Sequence, residues 1–335
     1  MRFIFLIIVV LLPLTGLAQG SQNEQKEWYV WTKDDTRIYV TQLGSSKNPG
    51  APIIVLHGGV GAEYSYLLPA FTPLATKYQF TFFDQRGSLR SPVEPSKITL
   101  EAMVDDIETI RNELRAPKIR IVAHSMGALL TYSYLQRFSE NVESVIFVDP
   151  VFPFYSGVSP DEALFKALDL PSSDKSYMAN LERFYRSANE ASKRRAQVLI
   201  EAKNLNRKNL SGAERTAAWK IKFASSNIFD LSKWEQMRGG EAFYNPSVYQ
   251  SLITNAGGQE SWSHKWDGLF NALVSFKGRT TFIIGKNDFI DPAFQFWPLI
   301  ALKLPNAKLI GLDHAGHNPW IDQPVKFKKA LDSSL

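Results

Sequence analysis

A rhythm in the chain constrains its fold more than any other feature. Short, near-continuous apolar runs alternate with segments of helical period. Ile53-Ile54-Val55-Leu56, Phe80-Thr81-Phe82-Phe83, Ile119-Arg120-Ile121-Val122, Val145-Ile146-Phe147-Val148, Thr281-Phe282-Ile283-Ile284 and Lys308-Leu309-Ile310 are the runs. Strands without a polar alternation have no solvent face, so a sheet built from them must be covered on both sides. Between two of the runs Leu100, Met103, Ile107, Ile110 and Leu114 recur at spacings of 3, 4, 3 and 4, one face of a helix. The pattern predicts an α/β fold, a mostly parallel sheet flanked by helices. Glu27–Val40 predicts a β-hairpin turning at Lys33-Asp34-Asp35, Tyr64–Tyr78 a helix interrupted at Pro73, and Val325–Leu331 a closing helix. The rhythm stops between Asp149 and about Gly278, a stretch rich in charge and holding Trp219, Trp234, Trp262 and Trp266. We read it as a helical cap at 152–275, inserted into a core made of 19–151 and 276–335.

Composition then removes whole classes of chemistry. The 335 residues include no Cys, which excludes disulfides, thiol nucleophiles and Cys-ligated metals. Lys and Arg exceed Asp and Glu by 38 to 33, a net +5. The longest basic cluster, Lys193-Arg194-Arg195, reads as a solvated helix face, so no nucleic-acid partner is expected. At the amino terminus Met1-Arg2 precedes an unbroken apolar run from Phe3 to Leu12, then Pro13 and the small residues of Gly16-Leu17-Ala18. That is the pattern of a secretory signal peptide over residues 1–18 with cleavage after Ala18. The run is shorter than the ~20 residues a spanning helix needs. The expectation is an exported chain, periplasmic or secreted, with no stable membrane anchor after cleavage.

Two loops carry chemistry. In Ile121-Val122-Ala123-His124-Ser125-Met126-Gly127-Ala128 a strand ends, a Ser sits between small residues, and a helix begins. This is a G-x-S-x-G nucleophile elbow with Ala in the first place. The turn lifts the hydroxyl of Ser125 above the sheet edge, and the amide of Met126 can point at a developing oxyanion. Leu56-His57-Gly58-Gly59-Val60-Gly61 follows another buried strand. Its glycines allow close backbone approach, and the amide of Gly59 would be the second oxyanion donor. His57 reads as a structural residue that hydrogen-bonds the turn. No Gly-Lys-Ser/Thr follows, which excludes a phosphate loop.

These residues resemble the α/β-hydrolase fold, and the first half of the chain resembles its proline iminopeptidase branch. His57-Gly58-Gly59-Val60-Gly61 is similar to that branch's His-Gly-Gly-Pro-Gly, and Asp84-Gln85-Arg86-Gly87-Ser88-Leu89-Arg90-Ser91 to its Asp-Gln-Arg-Gly-x-Gly-x-Ser. The resemblance covers about 50–150 and 278–325 and implies a triad in the order Ser, acid, His. Gly285-Lys286-Asn287-Asp288 with Pro292 behind nominates Asp288 as the acid, with Asp291 and Asp149 as alternatives. Gly316-His317-Asn318-Pro319 nominates His317 as the base, with His314 as runner-up. Ser125, Asp288 and His317 would then perform acyl transfer without a cofactor or metal, the substrate being a small molecule or short peptide.

The chain departs from the iminopeptidase pattern in three places. Ala123-His124 before the Ser and Met126 after it look more like an esterase or lipase elbow. Leu89 stands where the branch has a second Gly. In the cap, the branch holds the substrate's amine with carboxylates, one in an Ala-Trp-x-x-Trp-Glu context. The nearest stretch here is Ala217-Ala218-Trp219-Lys220-Ile221-Lys222-Phe223, which lacks the acid. Glu214, Glu235 and Glu241 are the substitutes to examine. The expectation is an exported serine hydrolase of small esters or amides. An iminopeptidase-like aminopeptidase and a non-catalytic hydrolase-fold binding protein are the alternatives.

Overall fold

The computed structural model describes residues 25–45, 50–154, 175–240, 243–292 and 294–335. The leader at 1–18 and Glu241 lie outside them. Eight strands form one sheet: β1 (Gln25–Trp31), β2 (Arg37–Gly44), β3 (Ile53–Leu56), β4 (Gln79–Phe83), β5 (Ile119–His124), β6 (Val142–Val148), β7 (Arg279–Gly285) and β8 (Ala307–Leu312). Their order is β1-β2-β4-β3-β5-β6-β7-β8. The hairpin β1–β2 is antiparallel and docks antiparallel on β4; from β4 to β8 every pairing is parallel.

Alternation along the central strands explains the two-sided cover. Ile54, Leu56, Ile121, Ala123, Val145 and Phe147 share one core with helices α2 (Leu100–Glu113) and α3 (Gly127–Phe138). Ile53, Val55, Val122, Ile146 and Val148 face the other, with the closing helix α11 (Pro324–Asp332). Helix α2 starts where the Thr99 side chain accepts from Ala102 N–H, and it buries Leu100, Met103, Val104, Ile107 and Ile110.

The stretch read as a helix over Tyr64–Tyr78 is instead three short helical turns: Tyr64–Leu67, α1 (Leu68–Phe71) and Thr72–Leu74. Pro69 and Pro73 restart each turn and remove N–H donors that one continuous helix would need.

Between β6 and β7 the described residues contain α4 (Lys175–Ala202), α5 (Gly212–Asn227), α6 (Pro246–Asn255), α7 (Gln259–His264) and α8 (Leu269–Ser275). Specific bonds fix this helical segment to the sheet's loops. Asp322, buried, accepts from the amides of Phe229, Asp230 and Gly316. Asn245 N–H donates to Gly61 O, and Asn318 N–H to Asn227 O. Helix α9 (Phe296–Leu302) packs Phe296, Trp297 and Ile300 into the core. It is followed, after β8, by the single turn α10 (Pro319–Asp322). No helix among the described residues is long and apolar enough to cross a membrane.

Candidate active site

Every residue nominated for chemistry stands at the carboxyl end of a parallel strand, the edge where open α/β sheets bind ligands. Ser125 follows β5 directly, with φ of +52°, a left-handed backbone that L side chains adopt only when the turn compels it. Its amide donates to Val148 O, and its carbonyl accepts from Ala128 and Val151, so neighbouring elements hold the turn from both sides. Glycine is required beside it for want of space. A Cβ on Gly127 would lie 2.7 Å from Leu56 O, and one on Gly58 would lie 2.5 Å from Ser125 Cβ. The second contact places the Gly58–Gly59 loop directly against Ser125.

The amides of Gly59 and Met126 have no hydrogen-bond partner among the described residues. Met126 stands at the first turn of α3, where helix amides lack carbonyl acceptors. These two N–H groups are the open donors of the site.

The imidazole and its acid come from loops after β8 and β7. His317 Nδ1 lies 2.6 Å from Asp288 Oδ2, and both residues are buried. The other Asp288 oxygen accepts from Ile290 N–H at 2.7 Å. A carboxylate held this way fixes His317 in the tautomer that carries its proton on Nδ1, which leaves Nε2 as a base. Ser125 itself forms no hydrogen bond through its hydroxyl among the described residues. The two parts meet through His124, whose ring centroid is 4.9 Å from that of His317. Catalytic Ser–His bonds often close only on a bound substrate.

The alternative acids and the runner-up base have other positions. Asp291 accepts a hydrogen bond from Tyr185 of α4 at 2.7 Å. His314 is exposed, with its ring against Phe229. Asp149, one strand over from Asp288, is fully buried. One of its oxygens accepts from Gly285 N–H at 2.7 Å, and the other has no partner among the described residues. Burial, with the charge of Asp288 nearby, pushes its carboxyl well above the usual range.

The Asp84-Gln85-Arg86 motif is tied through Gln85 to the loop that follows β3. Asp84 accepts from Tyr64 N–H, and Arg90 donates to it from Nε and its amide. Gln85 donates to His57 twice, its amide to Nε2 at 3.2 Å and its side chain to the carbonyl at 2.8 Å. His57 is thus a neutral structural residue, its pKa lowered by burial. Arg86, buried, forms a two-pronged pair with Asp106 at 2.8 and 2.6 Å.

The helical segment contributes rings. Trp219 stacks on Phe223 at 4.9 Å, and both meet Phe243, which meets Tyr66 at 5.7 Å. Tyr66 in turn abuts His124, and Tyr244 covers Gly59, where a Cβ would lie 3.3 Å from its ring. Trp262, by contrast, is buried packing in the core. Two of the carboxylates weighed as amine sites lie among the described residues. Glu214 closes a capping box on Ser211 and pairs with Arg207, and Glu235 is exposed.

Sequence reasoning missed Tyr66, Trp320 and Asp322. Tyr66 is disguised by its place in an expected helix. Asp322 had one available signal: an acid shortly after the His loop and ahead of Pro324.

Known proteins share parts of this chain. The proline iminopeptidase of Heyndrickxia coagulans is 34% identical over 103 residues, 30% of this chain and 35% of the relative. The human (lyso)-N-acylphosphatidylethanolamine lipase is 27% identical over 139 residues, 40% of each chain. The chain therefore spans well under half the length of these curated relatives. Among solved structures, an esterase from Thermogutta terrifontis superposes with a TM-score of 0.60 over 92% of this chain and 97% of its own, at 18% identity. A proline iminopeptidase-related protein from Thermus thermophilus gives 0.56 over 93% and 97%, at 21% identity. Both share the fold. The family described as the alpha/beta hydrolase fold matches residues 51–324, and the chain belongs to it.

Proposed function

We propose that the protein is an exported serine hydrolase that cleaves small esters or amides through an acyl-enzyme. The observation that carries this reading is the 2.6 Å pair of His317 Nδ1 with Asp288, buried at the strand edge that also presents Ser125. Nε2 of His317 takes the Ser125 proton as Oγ attacks the carbonyl carbon. The electron pair of the carbonyl moves to its oxygen, which the amides of Gly59 and Met126 receive. One such donor is typically worth ~10²–10³ in rate. The imidazolium, opposed by Asp288, then protonates the leaving oxygen or nitrogen. Water, deprotonated by the same nitrogen, releases the acid and restores Ser125.

For the substrate we favour an apolar acyl group. Tyr244 lies against Gly59, the rings of Trp219, Phe223 and Phe243 form a cluster that reaches Tyr66, Glu214 is engaged at its helix start, and Glu235 is exposed. A free amine would meet no counter-charge from these two. The second reading, an aminopeptidase of the iminopeptidase type, is favoured by the likeness of the His57–Gly61 and Asp84–Ser91 loops to that branch. A short-chain nitrophenyl ester and a prolyl arylamide, each assayed with the parent and Ser125→Ala, separate the two. Turnover of the arylamide alone would overturn the ester preference, and full activity of Ser125→Ala would overturn both. Export rests on residues 1–18, and the N-terminal sequence of protein recovered outside the cytoplasm tests it; an intact Met1 there would refute the cleavage.

A further inference from the structure

A directed chain of three buried hydrogen bonds runs beneath the site. It begins at Gly58, whose amide donates to Tyr66 Oη at 2.7 Å. Tyr66 Oη lies 2.6 Å from His124 Nδ1. His124 Nε2 lies 2.9 Å from the carbonyl oxygen of His317.

Donor chemistry leaves a single polarity. A carbonyl can only accept, so His124 carries its proton on Nε2 and its Nδ1 is a bare acceptor. Tyr66 therefore donates its hydroxyl proton to Nδ1, and its lone pair receives the Gly58 amide. No member can reverse without leaving a buried polar group unpaired, which typically costs about 1–3 kcal/mol. The rings are wedged as well. Trp320 lies edge-on to His124 at 5.0 Å and beside Tyr66 at 6.1 Å. Burial and the neighbouring imidazole of His317 keep His124 neutral, consistent with that polarity.

The endpoints give the chain its meaning. Gly58 directly precedes the oxyanion donor Gly59, His124 directly precedes Ser125, and the last acceptor is the backbone of His317 itself. Three loops from three different strands are thus held at one mutual spacing by two side chains. We propose that Tyr66 and His124 are positioning residues for acyl transfer, setting the distance of the His317 imidazole and the Gly59 amide from Ser125. Neither touches substrate; each acts through the residue beside it. This inference rests on the serine-hydrolase reading above. Such an arrangement supplies pre-organisation, and a displacement of about 1 Å at a reacting group can cost ~10²-fold.

The test uses the purified chain and a nitrophenyl ester, with active sites counted by the end point of fluorophosphonate labelling. Tyr66→Phe keeps the ring and removes both bonds of the hydroxyl. We expect kcat per labelled site to fall between about 10- and 100-fold with KM within about threefold, because the loss is felt in the transition state alone. His124→Gln keeps an amide donor for the His317 carbonyl, whereas His124→Leu has none, so kcat should fall in the order parent, His124→Gln, His124→Leu. Tyr134→Phe removes another partly buried hydroxyl bond, to Glu108 on the α2–α3 face, and should leave kcat unchanged. A merely structural role would lower the Tm while leaving kcat per labelled site intact. That result for Tyr66→Phe, or equal rates for the two His124 variants, would overturn the proposal. The His124 pair decides if Tyr66→Phe cannot be purified. Persistent turnover by Ser125→Ala would instead show that the hydrolase reading had failed.

Discussion

The two halves of the candidate site are built differently. The half at the sheet edge is held by hydrogen bonds: Asp288 to His317, Asp322 to three amides, Gln85 to His57, His124 to the His317 carbonyl. The half contributed by the segment between β6 and β7 is a set of rings, Trp219, Phe223 and Phe243, that meet only through their faces and edges. Directed bonds fix atoms to within fractions of an ångström. Ring contacts fix a shape and tolerate repacking. The difference teaches that chemistry and selectivity are separable here, so changes in the first half should act on kcat and changes in the second on the choice of substrate.

The largest effect should come from Ser125→Ala and His317→Ala. Each should lower kcat by on the order of 10⁴–10⁶, and the double variant should be scarcely worse than either alone, because the two act as a unit. Initial rates of ester hydrolysis for the three proteins check this. Additive losses would break the picture of one connected polar half.

Next come the two aspartates on adjacent strands. Asp288→Asn should lower kcat by about 10⁴, since the amide favours the wrong His317 tautomer. Asp149→Asn should leave kcat within about threefold, because His317 pairs with Asp288 and the Asn side chain keeps a carbonyl oxygen to accept from Gly285 N–H. The pH dependence of stability should tell them apart too. Asp149 has a folded pKa raised above its ordinary 3.8, so the folded state keeps a proton that the unfolded chain releases. Stability from this group is complete below about pH 3.8 and declines as pH rises toward the folded pKa. Asp149→Asn lacks that decline, so its Tm relative to the parent should rise with pH across the window. A Tm difference independent of pH would show that Asp149 is ionised in the fold.

A smaller effect should follow from the aromatic half. Phe243→Ala or Trp219→Ala should shift kcat/KM among esters of different acyl length by about tenfold, mainly through KM, while fluorophosphonate labelling of Ser125 proceeds at an unchanged rate. Equal losses for every ester would mean that the rings support the machinery and not the choice of substrate.

The same division explains what the sequence disclosed. Part of the polar half was legible from local rules, small residues for a sharp turn at Ala123–Gly127 and glycines for close approach at Gly58, whereas Asp288 and His317 were nominated by the family resemblance. The central strands and the helix at Leu100–Glu113 followed from apolar spacing. Asp288, Asp291 and Asp149 could not be ranked from spacing, since their partners, His317, Tyr185 and Gly285, lie far away in the chain. Tyr66 was hidden for a related reason: its partners are Gly58 and His124, and Pro69 and Pro73 break the helix that the apolar pattern of 64–78 suggests. Helix α9 escaped notice because Pro298 interrupts its seven residues. The rings between β6 and β7 follow no local rule, and only tertiary packing assigns Trp262 to the core and Trp219 to the cluster with Phe223 and Phe243.

The smallest expected effect bears on the amine question. Glu214 is the cap carboxylate closest in sequence to the Ala217–Phe223 stretch, yet its oxygens accept from Ser211 N–H and from Arg207, and Glu214 N–H donates to Ser211 Oγ. Those bonds lower its carboxyl to about pKa 2, the Ser211 backbone amide contributing most. It is ionised at neutral pH, but its charge is engaged at the helix start. Glu214→Gln should therefore leave kcat/KM unchanged for a prolyl arylamide as well as for an ester, with only a slight fall in Tm from the weakened cap. Loss of activity confined to the arylamide would place a substrate amine at Glu214 and return the chain to the aminopeptidase reading. Equal rates on both substrates leave the aromatic wall as the feature that selects, since a ring surface recognises apolar area and asks for no counter-charge.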